Sequence, residues 1–445
     1  MDNNKLGTMK PLPLVLSMAL PVMLSMALQA IYNIADSLFI ARYSEASFAA
    51  VSIIQPMLMI FTSLANGIAA GEGSLLSKCL GADDDKRARS SVGTAWSMAA
   101  ISSVAAIVII FLFVRPFVGF FLHDDPSGQD AIIYLKIVAL GLPFFFASSL
   151  ITFILQSHGH SKSAMFIQGS GAICNIIFDP VLIFTMNLGT AGAALATTLG
   201  YILSFAVAAV LYFPSDSTMS KFSLKKKDCR RITQVAMPSM MVQAAGPIVG
   251  IILNKLVVSY GVNVMAVFGM YQKTESFMFL AAGGIASALI VIVGYNYGRG
   301  DMKRVKKCFF TSLSLSWSIM IIGFFLFQAF TTELVSLFTD SPEVIEIGVR
   351  AFKLLCFCFL LTAPNIITSG LLQGLGMGKQ SLIITYSRFF LFLLPFAFIL
   401  NHFFGITGVW LSFFAADIPT LFLIFFLYRK VCRDVLDKPE AAIEG

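Results

Sequence analysis

The chain has 445 residues, 57% of them hydrophobic and only 12% charged, with 43 phenylalanines and a mean hydropathy of +0.84. Soluble domains are about a quarter charged, so this composition excludes a water-soluble globular protein and points to an integral membrane protein. The formal charge of +7 reads as a topology signal: basic residues gather in alternate loops, and membrane orientation accounts for them without a nucleic-acid partner.

In chain order, the first apolar stretch is Leu14 to Ile40, about 27 residues with no basic residue and one carboxylate, Asp36. It exceeds the roughly 20 residues that cross a bilayer core. Further stretches follow at approximately 48–78, 91–114, 131–156, 164–186, 191–213, 232–260, 264–297, 308–330, 347–373, 381–402 and 407–428. Twelve spans leave no room for a separate soluble domain. An even count places both termini on one side, and the basic loops make that side the cytoplasm. The loops are too short to hold a catalytic constellation and no phosphate-binding GxxxxGK[ST] is present, so an enzyme is not expected. The seven cysteines show neither a disulfide framework nor zinc spacing, and no cofactor is implied.

The chain repeats itself. GADDDKR (81–87) matches GRGDMKR (298–304) at a shift of 217, and the same shift pairs Pro21 with Pro238, Gly67 with Gly284 and QSHGHSK (156–162) with QGLGMGK (373–379). NLGTAG (187–192) aligns with FFGITG (403–408) at 216. Two six-helix halves in the same orientation are transporter architecture, with a substrate path between lobes. The expected organisation is an N-lobe at 1–213, a cytoplasmic linker at 214–231 and a C-lobe at 232–445.

Charged and polar residues inside such segments need a reason, because a charge facing lipid costs several kcal/mol. Gln29, Tyr32, Asn33 and Asp36 fall at i, i+3, i+4, i+7 and share one helix face. Asn175 lies one turn before Asp179, and Pro180 is expected to bend the helix just after it. Asp36, Asp179 and Thr197 come to a similar depth in the outer half of the first lobe. Two carboxylates with an amide and a hydroxyl form a hard-oxygen set for a small cation. Equally, two acids in one apolar pocket cannot both ionise easily, so one would carry a proton. The bland alternative is interhelical hydrogen bonding. In the second lobe Glu275 is either a second cation or substrate site, or a partner of Lys255, Lys273 or Arg388. Asp417 reads as structural, Glu72 as structural or a gate contact, and His158 with His160 as a solvated loop pair.

These residues resemble a family, the multidrug and toxic compound extrusion (MATE) transporters. The resemblance spans nearly the whole chain through ALPVMLSMALQAIYNIADSLFIAR (19–42), NIIFDPVLI (175–183), GTAGAALATT (189–198), FGMYQKTESF (268–277) and VGYNYGRGDMKRV (293–305). It implies an all-α membrane protein of 12 transmembrane helices in two pseudo-symmetric six-helix lobes forming a V. It further implies export of lipophilic or cationic small molecules in exchange for inward H⁺ or Na⁺. Carried over motif by motif, the cation site is Asp36, Asn175, Asp179 and Thr197. Gln29, Tyr32 and Asn33 would line the adjoining pocket, with Glu275 and Met270 lining it from the second lobe. A monomer is expected. The rival readings are a flippase for lipid-linked oligosaccharides, whose cavity should be richer in Arg and Lys, and a membrane-embedded transferase, which would need a catalytic loop.

Overall fold

A computed structural model describes residues 4–122, 127–212 and 222–437, and every regular element among them is helical. Eleven helices are long and apolar enough to cross a bilayer: α1 (Pro11–Tyr43), α2 (Ala46–Gly81), α3 (Asp85–Phe120), α4 (Gly128–Ser157), α5 (Ser161–Thr185), α6 (Gly189–Tyr212), α7 (Lys226–Tyr260), α8 (Val262–Gly298), α9 (Met302–Ala329), α11 (Gly378–Phe404) and α12 (Ile406–Leu436). The remaining segment, α10, is interrupted: Pro342–Leu355 and Phe359–Gly374 are joined by one 3₁₀ turn at Cys356–Cys358. With it the twelve expected spans are all present, although neither piece of α10 is long enough alone. Large apolar side chains stand on the outside of both halves, among them Phe113, Val210, Phe325 and Phe426. Such a surface suits acyl chains and not water, so the chain is a multi-pass membrane protein.

The internal repeat is written into the backbone. Asp84 and Asp301, 217 residues apart, each accept from the amide three residues on (Arg87 and Arg304), both at 2.9 Å. They cap α3 and α9 in the same way. The preceding residues, Asp83 and Gly300, both have positive φ, and so do the pairs Gly159 with Gly376 and Gly189 with Gly405. After those last turns the helices fold back tightly. A Cβ on Gly192 would lie 2.7 Å from the Leu182 carbonyl, and one on Gly408 would press on the Leu400 carbonyl, so only glycine fits either hairpin.

Contacts divide the chain into two compact units: unit 1 comprises Met1–Thr8 and Leu20–Met240, unit 2 comprises Met9–Ala19 and Met241–Gly445. Part of the expected linker, 214–221, lies outside the described residues. From Phe222 the chain already packs in unit 1: Ser223 N donates to Gly93 O at 3.3 Å, and Ser90 Oγ donates to Asp228 Oδ2 at 2.6 Å. The helix that opens the second half starts at Lys226, inside the expected linker, with Asp228 in its first turn where the helix dipole favours an acid. Its first turns press on α2 through Gly67 and Gly71, where a Cβ would come 2.6 Å from the carbonyls of Ala236 and Ile232. Unit 2 is centred on an aromatic cluster of Phe268, Tyr271, Phe327, Phe352, Phe359 and Trp410.

Candidate ion-exchange site

Helix periodicity puts four oxygen-bearing side chains at one depth without showing them to be neighbours. In unit 1 they are neighbours. Asp179 is completely buried and Asp36 is 7% exposed. In the amide orientation that satisfies both its neighbours, Asn175 donates to Asp179 Oδ2 at 3.0 Å and accepts from Thr197 Oγ1 at 3.2 Å. The amide thus ties α5 to α6. Asp36 reaches the same place from α1 and lies within electrostatic range of Asp179.

Local sequence explains how these groups meet. Gly171 and Gly200 let the α5 and α6 backbones touch: a Cβ on either would come 2.8 Å from the other's carbonyl oxygen. Small residues are what allow membrane helices to approach this closely. Pro180, directly after Asp179, has no N–H to give to the helix. The chain responds with a wider turn, Val181–Thr185, in which Met186 N donates five residues back to Val181 O at 2.8 Å. The expected local distortion is therefore a change of hydrogen-bond register.

One member is not legible in the sequence. Tyr134 on α4 is buried, donates its hydroxyl to Asp36 Oδ2 at 3.4 Å and stands beside the Thr197 hydroxyl. A tyrosine in an apolar helix is ordinary, and nothing in its spacing marks it. Asp36 Oδ1, by contrast, is buried with no hydrogen-bond partner among the described residues.

The donors at the site are thus one amide, one threonine hydroxyl and one phenol, and no lysine or arginine is among the groups that either carboxylate senses. Two ionised acids here would hold two negative charges without a cation, which a buried site does not sustain. The arrangement can take a proton or a small hard cation and give it up again.

The remaining expected positions divide. Gln29 and Tyr32 are partly buried on α1 with Tyr32 in reach of Gln29, whereas Asn33, on the edge of the same face, is exposed. In unit 2, Met270 is partly buried against the aromatic cluster. Glu275 is half-buried and senses Arg388; Lys255 and Lys273 are exposed. Asp417 is buried and paired to Arg388 at 2.5 Å. Glu72 is fully buried and accepts from Ser91 Oγ at 2.9 Å. His158 Nδ1 is held by Ile154 O at 2.9 Å. All seven cysteines are free.

Comparison with known proteins follows the same division into halves. The MatE family model matches twice, at residues 21–181 and 238–399. The chain is 26% identical over 441 residues to the multidrug export protein MepA of Staphylococcus aureus, covering 93% of each chain. It is 25% identical over 433 residues to MepA of Staphylococcus saprophyticus. Among solved structures it is similar to an outward-facing multidrug resistance MATE family transporter of the MOP superfamily (TM-score 0.93, 24% identity, 98% of this chain and 99% of that one). It is also similar to a MOP superfamily transporter from Pyrococcus furiosus (TM-score 0.92, 24% identity, the same coverage). These structures share the fold of twelve helices in two lobes. Matched once in each half, the chain belongs to the MatE family, the MATE transporters, and not to a family of enzymes.

Proposed function

We propose that this chain is a cation-coupled antiporter of the bacterial cytoplasmic membrane that exports lipophilic or cationic small molecules in exchange for inward H⁺ or Na⁺. One observation carries the reading: Asp36 and Asp179 are buried within electrostatic range of each other in unit 1, held by Asn175, Thr197 and Tyr134, with no lysine or arginine among the described groups that either one senses. Ionised, the pair favours a positively charged cargo in a low-dielectric setting. An ion arriving from outside cancels that charge and lowers the affinity for cargo. Exchange requires only that the two ligands compete or bias opposite states. Gln29, Tyr32 and Asn33 on α1 would contact the cargo in unit 1, and Glu275 and Met270 would contact it in unit 2.

The names of the staphylococcal relatives support multidrug export as the cargo class. A lipid-linked-sugar flippase is less well supported, because two of its basic candidates, Lys255 and Lys273, are exposed and the third, Arg388, is committed to Asp417. The reading carries both termini in the cytoplasm, a monomer, and no nucleic-acid partner. It is tested by efflux of a fluorescent lipophilic cation from vesicles, comparing an imposed pH gradient with an imposed Na⁺ gradient. One gradient should drive export by the unaltered chain and neither by Asp36→Asn; equal export by that variant would overturn it.

A further inference from the structure

Unit 2 also buries carboxylates, and they are filled differently. Asp417 on α12 is 1% exposed and is held by two side chains. Arg388 Nε donates to Oδ1 at 2.5 Å, while Arg388 Nη2 at 3.3 Å and Thr362 Oγ1 at 2.9 Å donate to Oδ2. Arg388 Nη2 also donates to Thr362 Oγ1 at 3.2 Å, and the guanidinium lies 5.2 Å from the centre of the Phe389 ring. The other titratable groups facing it are Glu275 on α8 and Cys358 at the break in α10. Tyr271, which faces Glu275, is occupied with Leu355 O and Cys358 Sγ. Glu275 lies within electrostatic range of that guanidinium, whereas the ion pair itself joins Arg388 to Asp417.

The internal repeat sharpens this contrast. At a shift of 217, Asp36 falls on Leu253. Asn175 falls on Leu391 or Phe392 and Asp179 on Pro395 or Phe396, depending on whether the shift is 216 or 217, and Thr197 falls on Phe413 at 216. The oxygen site of unit 1 is therefore absent from the matching positions of unit 2. What unit 2 has instead is an acid on its own last helix, with an arginine from α11 bound to it. That arginine is set in a π-helical turn, Ser387–Leu393, a local widening that often marks a functional position.

We propose that Arg388 is a built-in counter-cation: its guanidinium holds permanently, at Asp417, the place that an exchangeable proton or small cation takes at Asp36 and Asp179. The chain then carries one exchangeable ion site and not two. A guanidinium stays protonated and cannot leave on its tether, whereas a proton or Na⁺ can. Unit 2 is thus locked electrostatically, and the ion traffic runs through unit 1 alone. This inference rests on the reading of unit 1 given above.

The test counts ions on the full chain in lipid nanodiscs. Radioactive Na⁺ binding is measured in parallel with proton release on adding a lipophilic fluorescent cation in weak buffer. The unaltered chain should exchange about one ion per chain, a count that Asp36→Asn removes and Asp417→Asn leaves in place. Arg388→Met should raise the count to about two, and adding Asp417→Asn to it should return the count to about one. A count in the unaltered chain that Asp417→Asn lowers would overturn the inference, as would a folded Arg388→Met that still exchanges only one ion. If Arg388→Met does not fold, Asp417→Asn alone decides. Should Asp36→Asn and Asp179→Asn leave the count unchanged, the reading of unit 1 fails, and Asp417→Asn still reports separately on unit 2.

Discussion

The helix pairs α5–α6 and α11–α12 are related by the internal repeat, yet opposite chemistry joins them. In unit 1 the backbones touch at Gly171 and Gly200, and the close approach sets the Asn175 amide against Thr197. In unit 2 an arginine and an aspartate fill the interface, and Thr362 completes them. The first pair leaves acids short of positive charge; the second supplies that charge covalently. A buried acid is an exchange site only where the chain declines to neutralise it. On the proposed reading, one scaffold serves once as a switch and once as a fixed frame.

The largest expected effect is at the switch. Asp36→Asn and Asp179→Asn should each abolish gradient-driven export while the protein remains in the membrane at normal abundance, checked by vesicle efflux beside immunodetection. In the proposed exchange the two carboxylates act on one ion, so the double variant should be no worse than either single one.

Next comes the frame. Arg388→Met leaves the buried Asp417 charge unpaired, and breaking such a pair costs about 3–5 kcal/mol. Thermal unfolding in detergent should show a large loss of stability. Arg388→Met combined with Asp417→Leu should recover most of it, because an apolar pair of similar volume is tolerated where a lone charge is not. No recovery in the double variant would mean that the arginine does something beyond neutralising the acid.

A smaller effect is expected at the glycine contact. Gly200→Ala puts a methyl group 2.8 Å from the Gly171 carbonyl oxygen, and over-packing of this kind costs roughly 1–3 kcal/mol. Ion affinity should fall with it, because the spacing of α5 and α6 sets the Asn175 to Thr197 hydrogen bond. Smallest is Tyr134→Phe, which removes one interhelical hydrogen bond worth about 0.6 kcal/mol, or roughly threefold in ion affinity. A complete loss of exchange in that variant would make the phenol a participant in ion transfer and not a support.

Much of this architecture is legible in the order of residues alone. Twelve apolar stretches, the 217-residue shift and the depth of Asp36, Asp179 and Thr197 follow from bilayer thickness and helix periodicity, because lipid imposes the same constraint on every segment. The i, i+4 spacing of Asn175 and Asp179 places them together correctly, since that relation is local. Lateral neighbours are not legible. Tyr134 comes from a helix about 100 residues further on than Asp36, and only packing reveals that its hydroxyl turns to the acid. Arg388 stands among three basic candidates for Glu275, and sequence does not rank them; its commitment to Asp417 depends on α10, α11 and α12 meeting at Thr362. The start of α7 inside the linker is hidden because Lys226 and Lys227 read as loop, whereas Asp228, in the helix's first turn, is held by Ser90 of α3.

The most direct test of exchange at the paired acids is a simultaneous recording, in proteoliposomes, of ion entry and fluorescent-cation exit under an imposed gradient. The two fluxes should rise and fall together in the unaltered chain and both vanish in Asp36→Asn. Cargo exit that continues in that variant, with no ion entering, would show that the work of export is done elsewhere.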